Sequence, residues 1–126
     1  MLSQAEITNR IPVWRAMSDL FLDTESSPGD YSALAQVLAR ADLSQSELKD
    51  IFLHEIAPAF YPNLMSVAGE WQPWDEDQAR DIVLASMRSA RAFPSFFWLR
   101  RWLSRGYARG EWEKILASWP KSRSAV

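Results

Sequence analysis

Few side chains in this chain can do chemistry, and those that can are mostly acids. His54 is the single histidine and cysteine is absent, so a Ser-His-Asp or Cys-His nucleophilic set has only His54 to build on. No serine sits in a Gly-x-Ser-x-Gly elbow. His54-Glu55 opens like a zinc-protease helix, but the position four residues after His54 is Pro58 rather than a second histidine. A phosphate loop, a dinucleotide fingerprint and paired Glu-x-x-His metal motifs are all missing. No metal or cofactor is expected. The catalytic route left is acid–base work by a carboxylate pair, with Glu55 and Glu70 as candidates. Glu55 falls on an apolar helical stripe, where a carboxylate needs a partner or a raised pKa. The plainer reading is a boundary position whose head reaches water or an arginine.

The other chemistry is recognition. Seven tryptophans in 126 residues supply large apolar surface, and most of these rings are expected inside. The segment Asn63-Leu64-Met65-Ser66-Val67-Ala68-Gly69-Glu70-Trp71-Gln72-Pro73-Trp74 is not accounted for by helix periodicity. Structurally, Gly69 would supply a bend there while Trp71 and Trp74 pack over helix ends. Functionally, Glu70, Trp71 and Trp74 on an irregular segment would form a recognition surface.

Charge is unevenly distributed along the chain. Residues 1–76 carry four Lys and Arg against twelve Asp and Glu, a balance of −8, whereas residues 77–126 carry ten against four, a balance of +6. The two halves are expected to neutralise one another across the fold; a dipolar surface that steers a charged partner is the alternative. In the basic half Arg88, Arg91, Arg100, Arg101, Arg105 and Arg109 interleave with Phe96, Phe97, Trp98 and Trp102, a composition able to hold phosphates and stack bases. A pI near 5.4 and core-like spacing of those aromatics argue against a nucleic-acid footprint.

The elements that must position these residues are helices. From Thr8, Ile11, Trp14, Met17, Leu20 and Phe21 recur at three- and four-residue steps, predicting a helix over 11–22 with Pro12 in its first turn, with room for a short separate helical turn over Ser3 to Thr8 before it. Asp23 to Gly29 reads as a polar loop, and Asp30 as N-cap of a helix over 31–41. Ser44-x-x-Glu47 has the capping-box form and opens a helix that Pro58 limits. Asp75-x-x-Gln78 opens another, running to about Arg91. Pro94 begins a fifth, with Phe96, Leu99, Trp102 and Leu103 facing inward. Gly106 and Gly110 bracket a turn, after which a last helix carries Trp112, Ile115, Leu116 and Trp119. No strand pattern, internal repeat, heptad seam or low-complexity region is found. The expectation is an all-α, single compact domain of five or six short helices, with residues 1–8 and 121–126 as frayed ends. No apolar run reaches the roughly 18 residues of a membrane span. Residues 1–10 lack the order of a signal peptide, so a cytoplasmic protein is expected.

Two segments resemble a known family: Trp14 with Leu20-Phe21-Leu22-Asp23-Thr24-Glu25, and Glu55-Ile56-x-Pro58 followed by Asn63 to Trp71. They are similar to an uncharacterised family of small bacterial helical proteins. That resemblance implies the fold and a bacterial setting and transfers no catalytic residue. In size, charge and composition the chain is also similar to immunity proteins that block bacterial toxins, an analogy of class. The leading expectation is a non-enzymatic protein-binding module, an immunity-like inhibitor that meets a cognate toxin with Asp23, Glu25, Glu55, Glu70, Trp71 and Trp74. A nucleic-acid binder using the arginine-rich half and a carboxylate-based enzyme are the alternatives.

Overall fold

Four helix starts are written locally as reciprocal caps, and they set the boundaries of the fold. In the computed structural model, which describes residues 2–22, 26–66, 69 and 72–120, the side chains of Ser3, Ser27, Ser44 and Asp75 each accept the backbone N–H three residues on. Glu6, Asp30, Glu47 and Gln78 reach back to the capping residue's own N–H. Each box satisfies two donors that a helix otherwise leaves unpaired. The boxes at Ser44 and Asp75 start helices where the sequence predicts them. Those at Ser3 and Ser27 move two starts upstream: α1 is Gln4–Ser18, running through Pro12, and α2 is Pro28–Ala39, with Pro28 in its first turn rather than in a loop. A single 3-10 turn, Asp19–Phe21, follows α1.

The third helix is continuous in three pieces: α3 (Gln45–Ile51), a π turn (Phe52–Ile56) and α4 (Ala57–Met65). Pro58 supplies the reason for the middle piece. Its ring would collide with the His54 carbonyl in a regular α-helix. Widening the turn, so that the Ala57 N–H reaches the Phe52 carbonyl, relieves the collision without ending the rod. Asn63 to Met65 thus belong to a helix, not to an irregular segment. After α5 (Glu76–Ala92) the chain turns sharply at Phe93 and enters α6 (Pro94–Ala117).

Among the described residues the fold is all-α, and counting the three-piece rod once there are five helices, as expected. α1 packs on α5 and α2, while α6 lies against α4, α5 and α2. Trp14, Met17, Phe21, Leu48, Phe52, Ile56, Phe60, Trp112 and Ile115 are fully enclosed. Phe21 bridges Phe52 and Phe60 at centroid distances of 5.8 and 6.4 Å, and Phe52 meets Trp112 at 6.0 Å, within the range of attractive ring pairs.

α6 departs most from expectation. It is one helix of 24 residues, with no turn at Gly106 or Gly110. Only its C-terminal half buries a full face, through Ser104, Ala108, Glu111, Trp112 and Ile115. Phe96, Leu99, Trp102 and Leu103, expected inside, are exposed. The helical spacing of those residues describes a face that the neighbouring π turn and α4 leave largely open.

Candidate functional site

Glu55 sits half-buried on the π turn and is held by α1. Its Oε1 accepts the Trp14 indole N–H at 2.9 Å, and its Oε2 pairs with Arg10. The carboxylate on the apolar stripe therefore has the arginine the plainer reading asked for, plus the donor of a fully buried tryptophan. Trp74 is partly buried, its ring 4.8 Å from Phe60, and so it packs over the end of the core. Asp23, Glu25, Glu70 and Trp71 lie outside the described residues. On the N-terminal side of the last two, α4 is tied to the 3-10 turn, because Asn63 Nδ2 donates to the Phe21 carbonyl at 2.8 Å.

A second buried carboxylate was missed in the sequence. Glu111 on α6 accepts from the Tyr31 hydroxyl at 2.8 and 3.0 Å and pairs with Lys114 at 3.1 Å. The Tyr107 hydroxyl donates to the Leu20 carbonyl at 2.7 Å, with Glu111 Oε1 3.1 Å away as its alternative acceptor. Burial first, and then Glu111 through its hydrogen bond and its charge, push both tyrosines' pKa values up, so both remain protonated donors. Lys114 lies above the Tyr31 ring and gains a higher pKa from its bond to Glu111. Spacing within α6 gives Glu111 with Lys114 and Tyr107; nothing in the sequence links them to Tyr31, eighty residues earlier.

Two surface features remain. One is a cleft of about 360 Å³ between α1 and α2, with Leu20, Leu34, Val37 and Pro73 as apolar lining and Arg15, Asp19 and Asp30 as charged lining. Arg15 and Asp19 are paired at 2.6 Å. The other is a smaller cleft of about 130 Å³ between the π turn and α6, lined by Leu53, His54, Trp98, Arg101, Trp102 and Arg105. Trp98 and Trp102, one helical turn apart, are 65% and 57% exposed. Arg101 Nη2 lies 2.9 Å from His54 Nδ1. Desolvation, and then the Arg101 charge, lower the His54 pKa, so the neutral ring accepts at Nδ1 and keeps its proton on Nε2.

Residues 8–118 match a family model described as a domain of unknown function (DUF7079). The chain belongs to that family. The resemblance drawn from Trp14 to Glu25 and from Glu55 to Trp71 to an uncharacterised family is thereby borne out. No curated protein and no solved structure matches the chain.

No group of three or more acidic or histidine side chains among the described residues is arranged to hold a metal ion, and none of the described helices is long and apolar enough to cross a membrane. Every ion pair among the described residues joins two residues of the same half of the chain: Arg10–Glu55 and Arg15–Asp19 in the acidic half, Arg80 with Asp77 and Asp81, and Lys114–Glu111, in the basic half. Where side chains bond across the halves, a neutral group is always one partner, as in Tyr31 to Glu111, Tyr107 to Leu20, Arg100 to Pro58 and Arg101 to His54. Among the described residues the expected neutralisation is therefore not made by direct ion pairs.

Proposed function

We propose that this protein is a non-enzymatic protein-binding module whose contact surface includes the exposed Trp98–Trp102 face of α6. The carrying observation is the pair of exposed indoles one turn apart on a helix whose other end is anchored in the core, with Arg101 and Arg105 lining the same cleft. Tryptophan and arginine dominate binding hot spots, and a rigid element presents them at low entropic cost. Capture from the native host, followed by mass spectrometry, tests the reading. A protein partner should be recovered by the wild type and lost by the Trp98→Ala, Trp102→Ala double variant, whose melting temperature should be unchanged. Capture that survives both substitutions overturns the surface assignment, and repeated recovery of no protein overturns the function.

The finer form of this proposal is an immunity-like inhibitor of a toxin. It draws on the acid excess of residues 1–76, which would speed association with a basic toxin site. Asp23, Glu25 and Glu70 are the carboxylates to reverse, whereas Glu55 is committed to Arg10 and Trp14. Loss of toxin protection on charge reversal at those three positions supports it; unaltered protection removes them from the contact. A nucleic-acid reading gains one observation, because Trp98 and Trp102 are available for stacking. It predicts retention on single-stranded DNA or RNA that falls steeply with salt. The acidic balance of the chain, with a pI near 5.4, favours a protein partner instead.

A further inference from the structure

Gly106 and Gly110 lie inside a long helix, where glycine is unfavourable relative to alanine. Neither has an internal reason to be there: a Cβ added at either meets no atom within 4 Å. They continue a stripe on the side of α6 away from Trp98. Phe96, Leu99, Leu103, Gly106 and Gly110 follow one another at steps of three and four, the spacing of a helix–helix seam. The stripe is open to solvent, with Phe96 62% and Leu99 and Leu103 each 45% exposed, and Met65 of α4, 64% exposed, stands beside Leu103. One half of the stripe is bulky and the other half is bare backbone.

We propose that this seam is the interface of a symmetric dimer, in which α6 of one copy crosses α6 of a second copy antiparallel about a two-fold axis at Leu103. That axis sets Phe96 over the partner subunit's Gly110 and Leu99 over the partner subunit's Gly106, so each bulky half fills the space that the glycines leave. A two-fold contact requires such self-complementarity. Helical spacing puts Arg101 and Arg105 on the far side of the helix and Arg109 on the flank of the seam beside Gly106. Arg100, the cation nearest the seam, is tied to the Pro58 carbonyl at 2.7 Å. Like charges are thus kept off the centre of the contact, with Arg109 at its rim. The four apolar side chains expose on the order of 400 Å² per copy, and the pair with its glycine backbone roughly 1,000 Å², the lower bound of a specific interface. The dimer is accordingly one of moderate affinity, with a dissociation constant in the micromolar range. It leaves Trp98 clear, with Trp102 at the rim beside Leu99 and Gly106, and it does not depend on the function proposed for the Trp98–Trp102 face.

Sedimentation velocity on the full chain over roughly 1–200 μM tests it. The wild type should pass from monomer to dimer over that range. Gly106→Ala and Gly110→Ala should act in opposite directions on two readouts. They should raise the melting temperature of the dilute monomer by a few degrees and weaken association at least tenfold. Leu103→Cys would be the only cysteine in the chain, and on oxidation it should link two copies, whereas Trp98→Cys should not. A chain that stays monomeric at the highest concentration overturns the proposal. So does a dimer indifferent to both glycine substitutions, or one crosslinked through position 98 rather than 103.

Discussion

At Glu55 a carboxylate on a helix's apolar side is held by two donors from one neighbour, Arg10 and Trp14 of α1. Removing it would leave a largely buried guanidinium and an enclosed indole N–H without an acceptor. Glu55→Ala should therefore lower unfolding free energy by about 3 kcal/mol in a denaturant titration. Glu55→Gln, which keeps an acceptor for Trp14, should cost roughly half as much. Sequence spacing places Glu55 on the stripe and asks for a partner; it cannot choose Arg10, because 45 residues separate the two. His54 gives a pH prediction. Its pKa is lowered in the folded chain, so its contribution is fully present above the unfolded value of about 6.5 and is lost as pH falls through the lower folded value. Stability measured from pH 7 to 5 should fall less steeply in His54→Gln than in the wild type, and identical slopes would remove the assignment.

Among the elements, α4 and α6 are joined by the consequence of a missing proton. Pro62 has no N–H to give the Pro58 carbonyl one turn earlier, and Arg100 donates to that carbonyl instead. Arg100→Met should cost about 1–3 kcal/mol by leaving the acceptor unpaired. Pro62→Ala supplies the helical N–H, so in the Pro62→Ala background the same substitution should cost much less. A double-mutant cycle reads that difference, and simple additivity would refute the link. Element boundaries are the legible part of this fold wherever an acceptor stands three residues before an acid or amide, as at Ser44 and Asp75. The same signature at Ser3 and Ser27 was masked by Pro12 and Pro28-Gly29, whose usual meaning is a helix start or a turn. At Gly106 and Gly110 the local signal for a turn is overruled by the buried face of Ser104, Ala108, Glu111, Trp112 and Ile115, which holds the helix straight through both glycines. Reading a turn there also hides the heptad spacing that continues from Phe96.

For the molecule as a whole, Glu111 fastens the C-terminal helix to the start of the chain through Tyr31 on α2, and Tyr107 extends the tie to Leu20. Glu111→Ala should destabilise the whole fold by about 2–3 kcal/mol in a single cooperative transition. A loss confined to α6, seen as partial melting by circular dichroism, would contradict that coupling. The raised pKa values of Tyr31 and Tyr107 add stability that is complete below the unfolded value of about 10 and is lost as pH rises through the folded values. Unfolding should accordingly set in on the alkaline side, with a shallower slope in Tyr107→Phe. The distribution of indoles has an optical consequence. Trp14 and Trp112 are sealed in the core, while Trp98 and Trp102 stand in water beside Arg101 and Arg105. Iodide should be drawn to those guanidinium groups and caesium repelled, so the red-shifted part of the emission should be quenched by the anion far more than by the cation. The fluorescence of the unlabelled chain would then report when that face is covered.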